Sequence, residues 1–131
     1  MDSKNLIKQY IWVVSWLAVL IAFALSALVS TDGPPLGESN HLDKVAHVLI
    51  FLFLTAVPIA FFSNRKWAFL CVGAMPIIGF ALEYMQQNIG GRQFSPEDML
   101  ANNGGIILGV AMGIMIRVML RFRRQRQGEE S

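Results

Sequence analysis

Apolar residues arrive along the chain in four nearly uninterrupted blocks, residues 10–29, 45–62, 67–84 and 99–120. As helices, each block is about long enough to cross a ~30 Å hydrocarbon core. Before Glu83 no Asp, Glu, Lys or Arg interrupts the first three blocks, His47 is the one histidine within them, and the fourth holds only Arg117, near its end. A soluble core helix of this length shows a polar face every 3.6 residues, and these blocks do not. The pattern predicts an all-α, membrane-embedded four-helix bundle, a single domain over residues 1–131. The first block has a rival reading as a cleaved signal peptide, with Lys4 and Lys8 as its basic region and Ala24-Leu25-Ser26-Ala27 as a cleavage site. Its apolar run exceeds the ~7–15 residues of a signal core, which favours a retained span.

Breakers and caps separate the blocks. Residues 31–40, Thr-Asp-Gly-Pro-Pro-Leu-Gly-Glu-Ser-Asn, are rich in turn formers and end the first helix. Asn64-Arg65-Lys66 is a tight turn between the second and third blocks, and Gly90 and Gly91 suit the C-terminus of the third helix. Ser95-Pro96-Glu97-Asp98 places Ser at the N-cap, Pro at N1 and a carboxylate at N3, and Asn40-His41-Leu42-Asp43 offers a similar start to the second helix.

Composition agrees with a lipid-facing chain: 54% of residues are hydrophobic, 15% are charged and mean hydropathy is +0.48. The single cysteine, Cys71, excludes an internal disulfide and a multi-cysteine zinc site. The net charge of +2 conceals an asymmetry. Lys4, Lys8, Arg65, Lys66, Arg117, Arg121, Arg123, Arg124 and Arg126 fall on one side of a four-span topology, and only Lys44 and Arg92 fall on the other. The positive-inside rule assigns the first side, with both termini, to the cytoplasm. Trp12, Trp16 and Trp67 are expected at that inner interface, where indoles favour the headgroup region. The segment Arg-Phe-Arg-Arg-Gln-Arg at 121–126 reads as a juxtamembrane cluster that fixes topology and attracts anionic lipid, rather than as a nucleic-acid-binding tail.

The polar residues inside the blocks gather toward the outer side. Asp43 and His47 share a face of the second helix, Glu83 and Gln86 a face of the third, and Asp98 and Asn102 a face of the fourth, with Arg92 in the loop between. Such groups are costly against lipid and should face one another or a water-filled outer pocket. Gly105, Gly109 and Gly113 continue the Asp98/Asn102 face, and Pro76 and Gly79 continue the Glu83 face, a small-residue pattern suited to close helix packing or to pairing of two copies.

Residues 43–109 carry an ordered set: Asp43-Lys44-x-x-His47, then Gly79-x-x-x-Glu83-x-x-Gln86, then Arg92, then Asp98-x-x-Ala-Asn102-x-x-Gly105-x-x-x-Gly109. This set resembles the VanZ-like family of small bacterial membrane proteins, whose name-giving member is associated with low-level teicoplanin resistance. The resemblance covers about half the chain. It implies a multi-pass protein of the cytoplasmic membrane and marks Asp43, His47, Glu83, Gln86, Arg92, Asp98 and Asn102 as matching positions, without an assigned chemistry.

Several functions fit these residues. In the first, an amphiphile or lipid-linked cell-envelope precursor is recognised or processed at the outer leaflet. There Arg92, Lys44, Gln86 and Asn102 bind the polar head, and Asp43, His47, Glu83 and Asp98 are candidate catalytic groups with His47 or Glu83 as general base. A coupled transporter is the second, but its ionisable site would lie near the midplane, where this chain is apolar. Metal hydrolysis is the third; Zn²⁺ or Mg²⁺ has oxygen ligands here but only one usable histidine, and no His-Glu-x-x-His or Cys-x-x-Cys pattern occurs, so no cofactor is expected. In the fourth, a membrane partner protein uses the same cluster only to lock its helices. Asp43 and Asp98 then cap helices, His47 and Asn102 bridge them, and Arg92 clasps Glu83 or Asp98. Glu83 resists this explanation, since a carboxylate at the end of the third helix opposes its dipole.

Overall fold

The computed structural model describes residues 3–28, 41–89 and 95–129. Among these residues lie four helices and no strand: α1 Ser3–Leu28, α2 His41–Phe61, α3 Arg65–Ile89 and α4 Pro96–Glu129. Each covers one apolar block, short of its last residue in α1 and α2, and extends beyond the block at one end or both, because apolar runs mark where buried surface lies while caps and breakers set helix ends. The overrun is largest in α4, where Arg and Gln, both good helix formers, carry the helix on through the basic segment. Three helices hold stretches long and apolar enough to cross a membrane: Lys44–Phe61, Arg65–Asn88 and Pro96–Gly128. The described apolar stretch of α1, Gln9–Leu25, is shorter.

Two helix starts are capped as their residues dictate. Ser95 Oγ accepts the backbone N–H of Asp98 at 3.2 Å, the N-cap to N3 bond that opens α4. Asn64 does more than turn the chain. Its Oδ1 accepts Lys66 N–H at 3.0 Å, and its carbonyl accepts Ala68 N–H at 3.1 Å, so it caps α3. Asn40, Gly90 and Gly91 lie outside the described residues.

The closest helix pair is α2 with α4. A Cβ on Gly105 would lie 2.5 Å from the Val48 carbonyl oxygen, one on Gly109 2.6 Å from that of Leu52, and one on Gly113 2.8 Å from Ile59 Cβ. Only hydrogen at these positions lets the backbones meet. The glycine face therefore packs as its spacing predicts, but inside the chain. The surface that the sequence offers for pairing two copies is covered by α2.

α1 joins the bundle through its aromatic residues. Pro58 in α2 has no N–H to give the Leu54 carbonyl, and the Trp16 indole N–H donates to that oxygen instead, at 2.7 Å. Trp16 is buried, and Trp12 stacks on Phe61 with ring centroids 4.0 Å apart. These two indoles are packing groups, because a freed carbonyl and an open aromatic face claim them. Trp67 remains exposed, as a belt residue would be. At the same end Ser63 Oγ donates to Gln9 Oε1 at 2.9 Å, and Arg117 donates to the Phe62 carbonyl just past α2. The one charge inside the fourth block thus satisfies a helix C-terminus.

Thr55 is fully buried in α2, and its hydroxyl has no hydrogen-bond partner among the described residues. Thr55→Val keeps the shape and removes the unsatisfied group, so its melting temperature in detergent is expected to equal or exceed wild type. A fall of several degrees would show that the hydroxyl is used.

Candidate functional site

The N-termini of α2 and α4 and the C-terminus of α3 meet at one end of the bundle. His47, Glu83, Gln86, Asp98 and Asn102 are all buried there, at 3–6% exposure. The opposite end carries Arg65, Lys66, Arg117 and Arg121. The separation of polar and basic residues expected from the sequence is therefore a property of the folded chain.

His47 on α2 and Asn102 on α4 are in direct contact, with Nδ1 2.8 Å from Oδ1. The amide oxygen accepts, so the ring donates from Nδ1, and in the neutral imidazole Nε2 is then the basic nitrogen. Phe23 of α1 meets the His47 ring edge-on at 5.4 Å and Phe51 at 5.8 Å, which puts an aromatic wall against the pair. The other side of Asn102 faces α3. A Cβ on Gly79 would stand 3.3 Å from Asn102 Nδ2 and 3.2 Å from Phe51 Cζ, so the glycine gives the amide its room.

One turn along α3 from Gly79, Glu83 Oε1 accepts the backbone N–H of Ser95 at 2.7 Å. In a capping box that N–H is satisfied by the N3 side chain, here Asp98. Glu83 takes that place from a neighbouring helix. It thereby sits at the positive end of α4, which answers the objection that it opposes the dipole of α3. The arrangement also releases Asp98 from capping duty while leaving it buried. Lys44 and Glu97 form an ion pair at the rim, tying α2 to the first turn of α4.

The structure brings together His47 with Asn102, Glu83 with Ser95, and Ser95 with Asp98, and it pairs Lys44 with Glu97. Gln86 is buried at the same end. Asp43 lies in α2, but its side chain, like all of Arg92, falls outside the described residues. Among the described residues no three His, Cys, Asp or Glu side chains are grouped to hold a metal ion. Phe23, Ser95 as a bridging group and Glu97 are the members that the sequence did not single out for the site. Their partners lie 12 or more residues away in the chain, beyond the reach of helical spacing.

A depression lined by described residues reaches the cluster. It is a shallow notch of about 10 Å³ between α3 and α4, lined by Pro76, Gly79, Phe80, Met99, Asn102 and Asn103. It opens on the side of the bundle. No family model, no curated protein and no solved structure matches the chain.

Proposed function

We propose that this chain is an integral protein of the bacterial cytoplasmic membrane, with both termini in the cytoplasm and the polar cluster at the outer leaflet. In this reading it recognises or processes an amphiphilic or lipid-linked cell-envelope precursor. The observation that carries it is the burial of His47, Glu83, Asp98 and Asn102 together at the end remote from the basic residues. Ionisable groups are rare in such helices and mark sites of function when they converge. The ordered motif from Asp43 to Gly109, with its VanZ-like resemblance, supports the same reading and points to envelope chemistry, with glycopeptide susceptibility as a readout.

The roles follow from the contacts. Asn102 holds the His47 proton on Nδ1, which prepares Nε2 to accept a proton from a substrate hydroxyl or water. Asp98, buried and relieved of capping by Glu83, supplies a second carboxyl group. Arg92 would hold a phosphate or carboxylate of the headgroup. A second reading is favoured by two contacts, Glu83 with Ser95 and Lys44 with Glu97: the cluster locks the helices of a membrane partner protein and does no chemistry.

Complementation of a deletion strain separates the two. His47→Gln, Glu83→Gln and Asp98→Asn keep size while removing basicity or charge. The catalytic reading expects His47→Gln to accumulate normally in membranes and to lose about 100-fold in activity, the usual contribution of a general base. The locking reading expects loss of accumulation instead. Full complementation by all three variants at normal abundance would end the catalytic reading.

A further inference from the structure

Asn102 is 4% exposed, and its two amide ends are used differently. Oδ1 is taken by His47, whereas Nδ2 points toward α3, 3.3 Å from where a Gly79 Cβ would stand. Among the described residues Nδ2 donates a hydrogen bond to nothing, and Asn102 is one of the walls of the notch. Nδ2 is not one of the fully enclosed polar atoms, so its donor opens onto the notch and is available to an acceptor there. The remaining walls tell what kind. Pro76, Phe80 and Met99 are apolar, while Asn103 spends its Nδ2 on the Met99 carbonyl at 2.9 Å. The notch is therefore part hydrocarbon surface and part amide.

We propose that this notch is a lateral access route from the bilayer to the His47–Asn102 pair. The linkage region of a membrane amphiphile lies in it, its first chain carbons on Pro76, Phe80 and Met99 and an ester, amide or phosphoester oxygen on Asn102 Nδ2. Three features fit this occupant. Asn102 lies six residues into α4 from Pro96, about 9 Å along the axis, the depth at which headgroup gives way to chain. The notch holds about 10 Å³, room for about one water-sized group, which suits a single linkage oxygen whose head and chain lie outside it. Phe80, one of its walls, is 51% exposed, as a lipid-facing side chain is, while Ile77, 71% exposed on the same helix, is not among the lining residues. The proposal rests on the membrane placement given above and adds the direction from which a substrate arrives.

Photocrosslinking in nanodiscs tests it. The full chain carries p-benzoylphenylalanine in place of Phe80, or in place of Ile77 as a control for bulk lipid contact. The discs contain alkyne-tagged phosphatidylglycerol and, separately, an alkyne-tagged polyprenyl phosphate at equal mole fraction. Position 80 is expected to exceed position 77 by about fivefold with at least one probe, as one hydrogen bond would provide, with adducts near the linkage oxygens. The stronger probe identifies the class of amphiphile. Gly79→Ala places a methyl against Asn102 Nδ2 and Phe51 and should bring position 80 down to the level of position 77. Should Gly79→Ala fail to fold, Met99→Trp narrows the notch from α4, with the same expectation. Equal adducts at both positions with both probes, or an excess at position 80 that persists in a folded narrowed variant, would overturn the proposal. Binding is read here independently of turnover: adducts at position 80 alongside full complementation by His47→Gln would retain the notch and reject the processing reading.

Discussion

Gly105→Ala is expected to destabilise the chain by about 3 kcal/mol, at the upper end of overpacking effects, whereas Gly104→Ala, one residue earlier, should stabilise it by up to ~1 kcal/mol. Alanine is a better helix former than glycine, so propensity alone would make both substitutions favourable. The difference lies in what the new methyl meets. At Gly104 nothing lies within 4 Å, while at Gly105 the Val48 carbonyl oxygen would be 2.5 Å away and the Leu52 nitrogen 3.2 Å. Those are backbone atoms of α2 and cannot swing aside as a side chain would. α2 and α4 must separate, and because Gly109 and Gly113 depend on the same approach, the whole seam loosens. His47 and Asn102 sit one turn from the seam, so their 2.8 Å contact should be lost as well. Unfolding of the two variants by denaturing detergent, followed by helicity, checks the sign and the size. Equal effects at both positions would mean that α2 and α4 are not held as close as described.

How far the sequence reaches is visible in this same seam. The spacing of Asp98, Asn102, Gly105, Gly109 and Gly113 places them on one face of one helix, because a 3.6-residue period dictates it. It does not say which helix that face meets. The sequence leaves pairing of two copies open as well as packing inside the chain, and only the fold shows that α2 fills the face. His47 and Asn102 are 55 residues apart, and periodicity assigns each a face but not the rotation that turns the two faces together. Glu83 illustrates the same limit. Judged on its own helix it opposes the dipole; its partner is the start of α4, which no local rule connects to it. The four helices and the end at which polar groups gather were legible, since apolar block length and charge placement are local quantities. The notch was not, because it depends on the absent side chain of Gly79 lying opposite Asn102.

Trp16→Phe is expected to lower stability by about 2 kcal/mol, and Pro58→Ala is expected to recover most of that loss in the double variant. The interfacial-belt rule places Trp16 at a headgroup boundary, and a belt residue would tolerate phenylalanine with little effect. Here the indole N–H is the donor to the Leu54 carbonyl, which lost its intrahelical partner to the proline four residues on. Phenylalanine keeps most of the ring contact, including the edge-on approach to Phe62 at 6.2 Å, and removes only the donor. The carbonyl is then stranded in an apolar interior, where an unsatisfied polar group is expensive. Alanine at position 58 restores a backbone N–H within reach of that same oxygen, so α2 closes its own ladder and no longer needs α1 for it. The cycle has a distinctive sign pattern. Pro58→Ala alone should be mild, because Trp16 already satisfies the carbonyl, while in the Trp16→Phe background it should be strongly favourable. Four thermal unfolding curves in one detergent give the coupling directly. A coupling near zero would show that Trp16 is held by ring packing alone and that the freed carbonyl of α2 does not determine where α1 docks.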